Sequence, residues 1–284
     1  MHAQEIDKHT WLITRGEGQA SIHTYLLEGK DKAAIIDTGL EPEELREFTE
    51  RYTDKPLIVL HTHGHIDHIG NDQQFDEVML HPADFALYRL HSSGTYRKNF
   101  FQAQYESIKQ YDPLEAKRYA EVHNYTLNQD VHLIPLVDGM TIDLGNRYVK
   151  VIENPGHTQG CVSFFEEARS FIFTGDMVCE LGVLMHFPEA TSMKTYKASL
   201  HKIRSSMTDT FKLFAGHQST PLGIDWVDQY IVCAEDLINL GKSMIKDDPS
   251  VQRDNQVSIY VKDSATISYA SRQLSLAFDE GKKQ

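Results

Sequence analysis

The chain has 284 residues, 28 of them basic and 41 acidic, for a net charge of −13 at neutral pH. At 40% hydrophobic and 24% charged residues it reads as a globular chain with ample core material. The acidic balance argues against a broad surface for nucleic-acid phosphates, which needs clustered Lys and Arg. A small anionic substrate stays possible wherever a metal ion supplies local positive charge.

The opening stretch MHAQEIDKHTWLITRGEGQ carries no basic segment followed by an apolar one. No stretch approaches the roughly 18 apolar residues of a membrane span. Cys161, Cys179 and Cys233 are an odd count without CxxC spacing. They are expected to be buried thiols in a reducing, cytoplasmic setting.

In chain order, TWLIT, SIHTYLLEG and KAAIIDTG have the β-branched and aromatic texture of strands bounded by turn formers. EPEELREFTERY, with Pro near its start and an acidic first turn, predicts a helix. PLIVLHTH is an apolar run that turns abruptly into histidines, as expected of a buried strand opening onto a site. After EVMLHP, residues 83–130 become helical in propensity and rich in aromatics, among them Tyr88, Tyr96, Phe100, Phe101, Tyr105, Tyr111, Tyr119 and Tyr125. This is an inserted helical excursion.

Strand texture returns in VHLIPLVDGMTIDLGNRYVKVIENPGHT, CVSFFEEARSFIFTGD and KLFAGH, with a helix over Ser192–Met207 before the last. From Asp225, helical spacing of Trp226, Val227, Tyr230, Ile231, Ala234, Leu237, Ile238 and Met244 predicts a further helix. QVSIYVKDSATISYAS reads as a strand pair or as a strand and a short helix. AIIDTG and FIFTGD both end an apolar run in an Asp/Gly turn, a faint echo between two β-rich halves.

The chemistry concentrates in LHTHGHIDHIG, residues 60–70, where His63, His65, Asp67 and His68 form H-x-H-x-D-H. Residues two apart on an extended segment point the same way, so His63 and His65 can meet one metal ion. A sharp turn would bring Asp67 and His68 to a second. Imidazole and carboxylate are the ligands of a catalytic zinc site, which keeps a position open for water. His157 in NPGHTQG, Asp176 in FTGD and His217 in FAGH each end a strand-like run beside Gly, where scaffolds place functional groups.

THGHIDHIG, PGHTQGCVSFF, FTGD and LFAGH, in this order, resemble the metallo-β-lactamase-fold hydrolases over about residues 10–223, specifically the glyoxalase II, lactonase and thioesterase-like branch. The resemblance implies an α/β, four-layer αββα sandwich with the site at one rim of two sheets. Residues 1–223 would form the catalytic domain, with the insert at 83–130, and 224–284 a helix and strand extension packed on it. His63, His65 and His157 would bind one metal, Asp67, His68 and His217 the second, and Asp176 would bridge them. All seven positions hold the expected residue types.

Two divalent ions, zinc first with manganese or iron as alternatives, would acidify a water and polarise the substrate oxygen. Asp67 would serve as catalytic residue, orienting that water and taking its proton. The expected reaction is hydrolysis of a small ester, thioester or lactone. Phosphodiester hydrolysis on the same site, a mononuclear iron dioxygenase of the persulfide-oxidising type, and a metal-dependent sensor are the alternatives. The expected partner is a small-molecule substrate, with neither nucleic acid nor membrane, and with a homodimer left open.

His61 would share a face with His63 but is expected to pack behind the ligands. Asp37 is read either as a buttress for a histidine ligand or as a turn former. His186 is read as a substrate contact or a surface residue, and Tyr96 or Phe100 is expected to reach substrate from the insert. His9, His23, His81, His91, His123, His132 and His201 are expected in ordinary surface or packing roles.

Overall fold

The computed structural model describes residues 1–15, 21–40, 44–122, 131–218, 220–247 and 257–270. Tyr125 and His123 of the insert, and the Glu41–Glu43 start of the first predicted helix, lie outside them.

Seven strands form the first sheet in chain order: β1 (His2–Asp7), β2 (Thr10–Arg15), β3 (Ile22–Glu28), β4 (Ala33–Ile36), β5 (Leu57–Leu60), β6 (Glu77–Leu80) and β7 (His132–Pro135). β1 to β4 pair antiparallel and β4 to β7 parallel. The second sheet has five strands: β8 (Thr141–Asp143), β9 (Tyr148–Glu153), β10 (Val162–Glu166), β11 (Phe171–Gly175) and β13 (Lys212–Ala215), in the order β13-β11-β10-β9-β8. A third, small sheet joins β12 (Val183–Leu184) to the hairpin of β14 (Val257–Lys262) and β15 (Ala265–Ala270), with β15 in the middle. The described part of QVSIYVKDSATISYAS, Val257 to Ala270, is therefore a strand pair.

Alternation along the strands sorts side chains into layers. Leu12, Tyr25, Leu27, Ala34 and Ile36 of the first sheet face Val149, Val151, Val162, Phe164, Phe173 and Phe214 of the second. Their neighbours Ile13, Leu26, Ala33 and Ile35 point the other way, against Leu45 and Phe48 of α1 (Leu45–Thr49) and Tyr88 of α2 (Phe85–His91). On the far side, Ile152, Phe165, Ile172 and Leu213 pack under Tyr196, Leu200 and Ile203 of α5 (Met193–Ser205) and Val227, Tyr230 and Leu237 of α6 (Asp225–Asp247). The result is helix, sheet, sheet, helix, the four-layer αββα sandwich.

The helical excursion lies between β6 and β7 as α2, α3 (Gly94–Lys109) and α4 (Pro113–Val122). α1 is shorter than the run EPEELREFTERY suggests, and no side chain caps its start. Among the described residues no helix is long and apolar enough to cross a membrane. Cys161, Cys179 and Cys233 are free and buried.

The two large sheets are fastened at both ends. At one rim, backbone bonds run from His23 N–H to the Gly216 carbonyl and from Val162 N–H to the Thr62 carbonyl, both 2.9 Å. At the other, the Arg147 guanidinium makes a two-pronged ion pair with Glu166 (Nε–Oε1 2.9 Å, Nη2–Oε2 2.8 Å). It also reaches the His9 carbonyl at 2.6 Å and the Thr10 hydroxyl at 2.8 Å, across on the first sheet. Both side chains are almost fully buried, at 2% and 1% exposure; Arg169 also pairs with Glu166 Oε1, so removing Arg147 leaves Glu166 with that one outer partner and cuts the ties to the first sheet. Arg147→Ala is expected to lower unfolding stability by about 3–5 kcal/mol, read from denaturant melts; a loss below about 1 kcal/mol would show that the pair does not fasten the sheets.

Candidate metal centre

Four strand ends meet at the rim closed by the His23 and Val162 bonds. β5 runs into the loop holding His61 to Gly70, and the β9–β10 connection carries His157. Asp176 follows β11 and His217 follows β13. Gly216 lets that last turn close in, since a Cβ there would sit 2.7 Å from His68 Cε1 and 2.8 Å from Asp176 Oδ1.

The seven residues gather as two groups, His63, His65 and His157 in one and Asp67, His68, Asp176 and His217 in the other, each with one donor atom per residue within 4.8 Å of the rest. In the first, His65 Nδ1 lies 3.1 Å from His63 Nε2 and 2.8 Å from His157 Nε2. In the second, His217 Nε2 lies 3.3 Å from Asp67 Oδ2 and 3.3 Å from Asp176 Oδ2. Asp176 touches both groups: Oδ1 is 3.4 Å from His68 Nε2, and Oδ2 is 3.6 Å from His157 Nε2.

Each of the five imidazoles is held from behind. His157 Nδ1 donates to the Leu184 carbonyl at 2.8 Å, and His217 Nδ1 to the Ser21 carbonyl at 3.3 Å. His68 Nδ1 donates to Asp37 Oδ2 at 2.8 Å. The Thr62 hydroxyl donates its own proton to Asp37 at 2.7 Å, so its oxygen accepts from His63 Nδ1 at 3.0 Å. His65 Nε2 donates to Glu189 Oε1 at 2.7 Å. A neutral ring protonated on its outer nitrogen presents a lone pair inward, as at His63 and His157, whereas the carboxylates around His68 and His217 overcome burial and raise both well above the ordinary imidazole value.

That donor set fits metal ions. Bare imidazole nitrogens facing one another with carboxylates among them are otherwise poorly satisfied, and buried His68 Nε2 and Asp176 Oδ1 make no hydrogen bond. Burial pushes His63 well below the usual imidazole range and His157 to about 4, with neighbouring histidines adding to the effect. Burial works against the charge of Asp67 and Asp176, but the surrounding His68 and His217 outweigh it and hold both ionised.

Of the two readings of Asp37, the structure supports the buttress. It holds His68 directly and His63 through Thr62, from a left-handed backbone position at φ 58°. His61 is fully buried outside both groups, with Nε2 2.9 Å from Asp72 Oδ2 and Nδ1 3.5 Å from Asp37 Oδ1. Burial opposes its charge, yet Asp72 and Asp37 raise its pKa to about 9. It braces the buttress.

Several contributors escape sequence reasoning. Asp84 ties two loops together, accepting from Gly64 N–H at 2.9 Å, Thr158 Oγ1 at 2.6 Å and Gly160 N–H at 2.7 Å. Glu189 stands beside no recognisable motif. His91 is no ordinary surface histidine: its Nδ1 accepts from Ile66 N–H at 3.2 Å, and its ring stacks 5.3 Å from His65. Tyr96 stacks in turn on His91 at 4.1 Å, which brings it to the margin of the site. Phe100 instead packs edge-on against Phe101 inside the insert. His186 is half-buried, bonded to Ser268 Oγ at 2.8 Å and tilted over Phe187. A helical propensity window holds no signal for any of these contacts, but NPGHTQG and HFPE, each carrying Pro or Gly beside polar groups, mark the loops that make some of them.

These positions separate candidate ligands from braces. His61→Ala is expected to retain wild-type metal stoichiometry by elemental analysis while losing about 1–3 kcal/mol of stability, because buried Asp72 keeps Thr38 on Oδ1 but loses the imidazole on Oδ2. His65→Ala is expected to lose one equivalent with little further loss of stability; a lost equivalent in His61→Ala would overturn the assignment.

The family model of the metallo-beta-lactamase superfamily matches residues 18–217, well over half of the chain. The human acyl-coenzyme A thioesterase MBLAC2 is 28% identical over 176 residues, 58% of this chain and 61% of that protein. The chain thus spans less than two thirds of that relative. The hydroxyacylglutathione hydrolase GloC of Haemophilus influenzae is 28% identical over 202 residues, 68% of this chain and 82% of that one. Among solved structures, the metallo-beta-lactamase family protein TTHA1429 of Thermus thermophilus superposes with a TM-score of 0.56 at 18% identity, covering 84% of each chain. TTHA1623 in a di-iron-bound form gives 0.55 at 24% identity, covering 77% of this chain and 98% of that one. Sandwich, rim and motif order agree with the family match, and the chain belongs to the metallo-beta-lactamase superfamily.

Proposed function

We propose that this chain is a metal-dependent hydrolase of acyl thioesters that uses two divalent ions. The observation that carries this reading is the completeness of both donor groups, each backed by outer acceptors, with Asp176 reaching into each. His63, His65 and His157 would hold one ion, Asp67, His68 and His217 the other, and Asp176 would span them. When bound, such a pair supplies Lewis acidity, polarising the scissile carbonyl and lowering the pKa of the attacking water. A mononuclear oxygenase leaves the second group without a task, which the care taken over His68 and His217 argues against.

The protein's own groups favour a sulfur leaving group. Asp67, at 27% exposure against 13% for Asp176, is the donor-set carboxylate open enough to orient the attacking water and take its proton. Asp67, Asp176 and Glu189 are all held ionised in the resting site, so a departing alkoxide finds no proton on them beyond the one Asp67 takes from the water, and Asp67 is a weak base. Asp84 is the one site carboxyl that burial pushes up, and its oxygens are occupied by Gly64, Thr158 and Gly160. A thiolate, from a thiol of pKa about 8.5, departs without such help. The two named relatives support the same class, since acyl-coenzyme A and hydroxyacylglutathione are both acyl thioesters.

The test is a hydrolysis panel of matched thioesters, oxygen esters, lactones and phosphodiesters on zinc-, manganese- or iron-reconstituted protein. Thioesters are expected to lead the matched oxygen esters by about 100-fold or more in kcat/KM, the lower end of what a general acid would otherwise contribute. Equal rates on the oxygen esters, or turnover of phosphodiesters alone, would overturn the thioester reading. One iron per chain with oxygen consumption would overturn the hydrolase. Asp176→Asn is expected to lower kcat by at least about 100-fold on the best substrate, with loss of metal from one or both groups in the same preparation.

A further inference from the structure

Four of the five outer acceptors come from strand ends or from backbone carbonyls that any residue would supply. The fifth, Glu189, comes from the loop between β12 and α5 and lies outside the four motifs that carry the family resemblance. We propose that Glu189 is a positioning residue for the first donor group. Its carboxylate keeps the proton of His65 on Nε2, turns the bare Nδ1 toward His63 and His157, and so sets how tightly that group holds a metal ion. The inference rests on the metal-dependent reading above.

His65 differs from the other four histidines in which nitrogen it turns inward. The others offer Nε2 and anchor Nδ1, close to their own backbone. His65 offers Nδ1, so the far end of its ring projects away from the chain and needs a partner from elsewhere. A neutral imidazole can carry its proton on either nitrogen, and a proton on Nδ1 would sit where the lone pair is needed. A carboxylate 2.7 Å from Nε2 decides the matter, because it can only accept.

The remaining contacts of His65 do not choose between tautomers. His91 lies against one face with its plane 20° from that of His65, and Phe187 meets the ring at 72°. Such contacts fix the ring plane and are the same for both tautomers. His91 is itself pinned by Ile66 N–H and backed by Tyr96, so the insert fixes the plane while Glu189 fixes the proton.

Glu189 is equipped for this. Its own carbonyl accepts from Gln159 Nε2 at 3.1 Å, two residues beyond His157, so the carboxylate travels with the loop that carries the third ligand. The side chain is 22% exposed, so replacing it opens no core cavity.

The experiment titrates Zn²⁺ into metal-free wild type, Glu189→Ala and Glu189→Gln in competition with a chromophoric chelator. In Glu189→Ala, one of the two equivalents is expected to bind about 10–100-fold more weakly, the other as in wild type. Glu189→Gln keeps a carbonyl acceptor without the charge and should fall between, which also carries the test if the alanine variant does not fold. Long-range ¹H–¹⁵N spectra of the zinc-loaded wild type should show the His65 proton on Nε2. Two equivalents at wild-type affinity in Glu189→Ala, or a uniform weakening of both alongside a lower melting temperature, would overturn the role. A wild type that takes up no Zn²⁺ would instead overturn the metal-dependent reading together with this one.

Discussion

Bare ring nitrogens can be aimed at one small volume only if each imidazole keeps its proton on the far side. Five outer hydrogen bonds meet that condition, to Asp37, Thr62, Leu184, Glu189 and Ser21. Without them the rings would share protons among themselves or charge up and repel one another. Ring orientation is thus settled by the protein alone, the preorganisation on which metal sites depend.

The sandwich exists to bring those acceptors within reach. Ser21 precedes β3, Asp37 follows β4 and Thr62 follows β5, all of the first sheet. The ligands they hold come partly from the second sheet, as with His217 after β13. The rim must therefore be held to a fraction of an ångström across two sheets, and the backbone bonds His23 to Gly216 and Thr62 to Val162 do this directly. At the opposite end the buried Arg147–Glu166 pair stops the layers from sliding, at the cost of desolvating two charges. Asp84 and the Asp72–His61–Asp37 chain stiffen the loops between.

Much of this was legible in the sequence for a physical reason. Ligands must be particular residue types at strand ends, so HxHxDH, PGH, TGD and AGH stand out against apolar runs. The period-2 alternation in TWLIT and KAAIIDTG reports directly which face each residue takes. The second of two readings of QVSIYVKDSATISYAS fails because Ala265, Ile267 and Tyr269 pack beside α6 as a strand. What stayed hidden are contacts between residues far apart in the chain that need no special spacing. Glu189 lies 124 residues from its histidine, and His91 reads as one histidine among many until the insert folds it against His65. A carboxylate or an imidazole in a loop is common, and only the folded geometry tells a brace from a bystander.

The small sheet has a consequence in time. Leu184, whose carbonyl holds His157, lies on a strand that pairs with Ile267 and Ser268 of β15. Chains emerge from the ribosome from the N-terminus at about 5–20 residues per second. Every donor residue is synthesised by residue 217, yet the strand that pairs with β12 appears some fifty residues later. During synthesis there is an interval of seconds in which the donor residues exist but one of their supports does not. The hydrogen bond behind His157 is therefore steadied only by the last described strand of the chain, after all seven donor residues have been made.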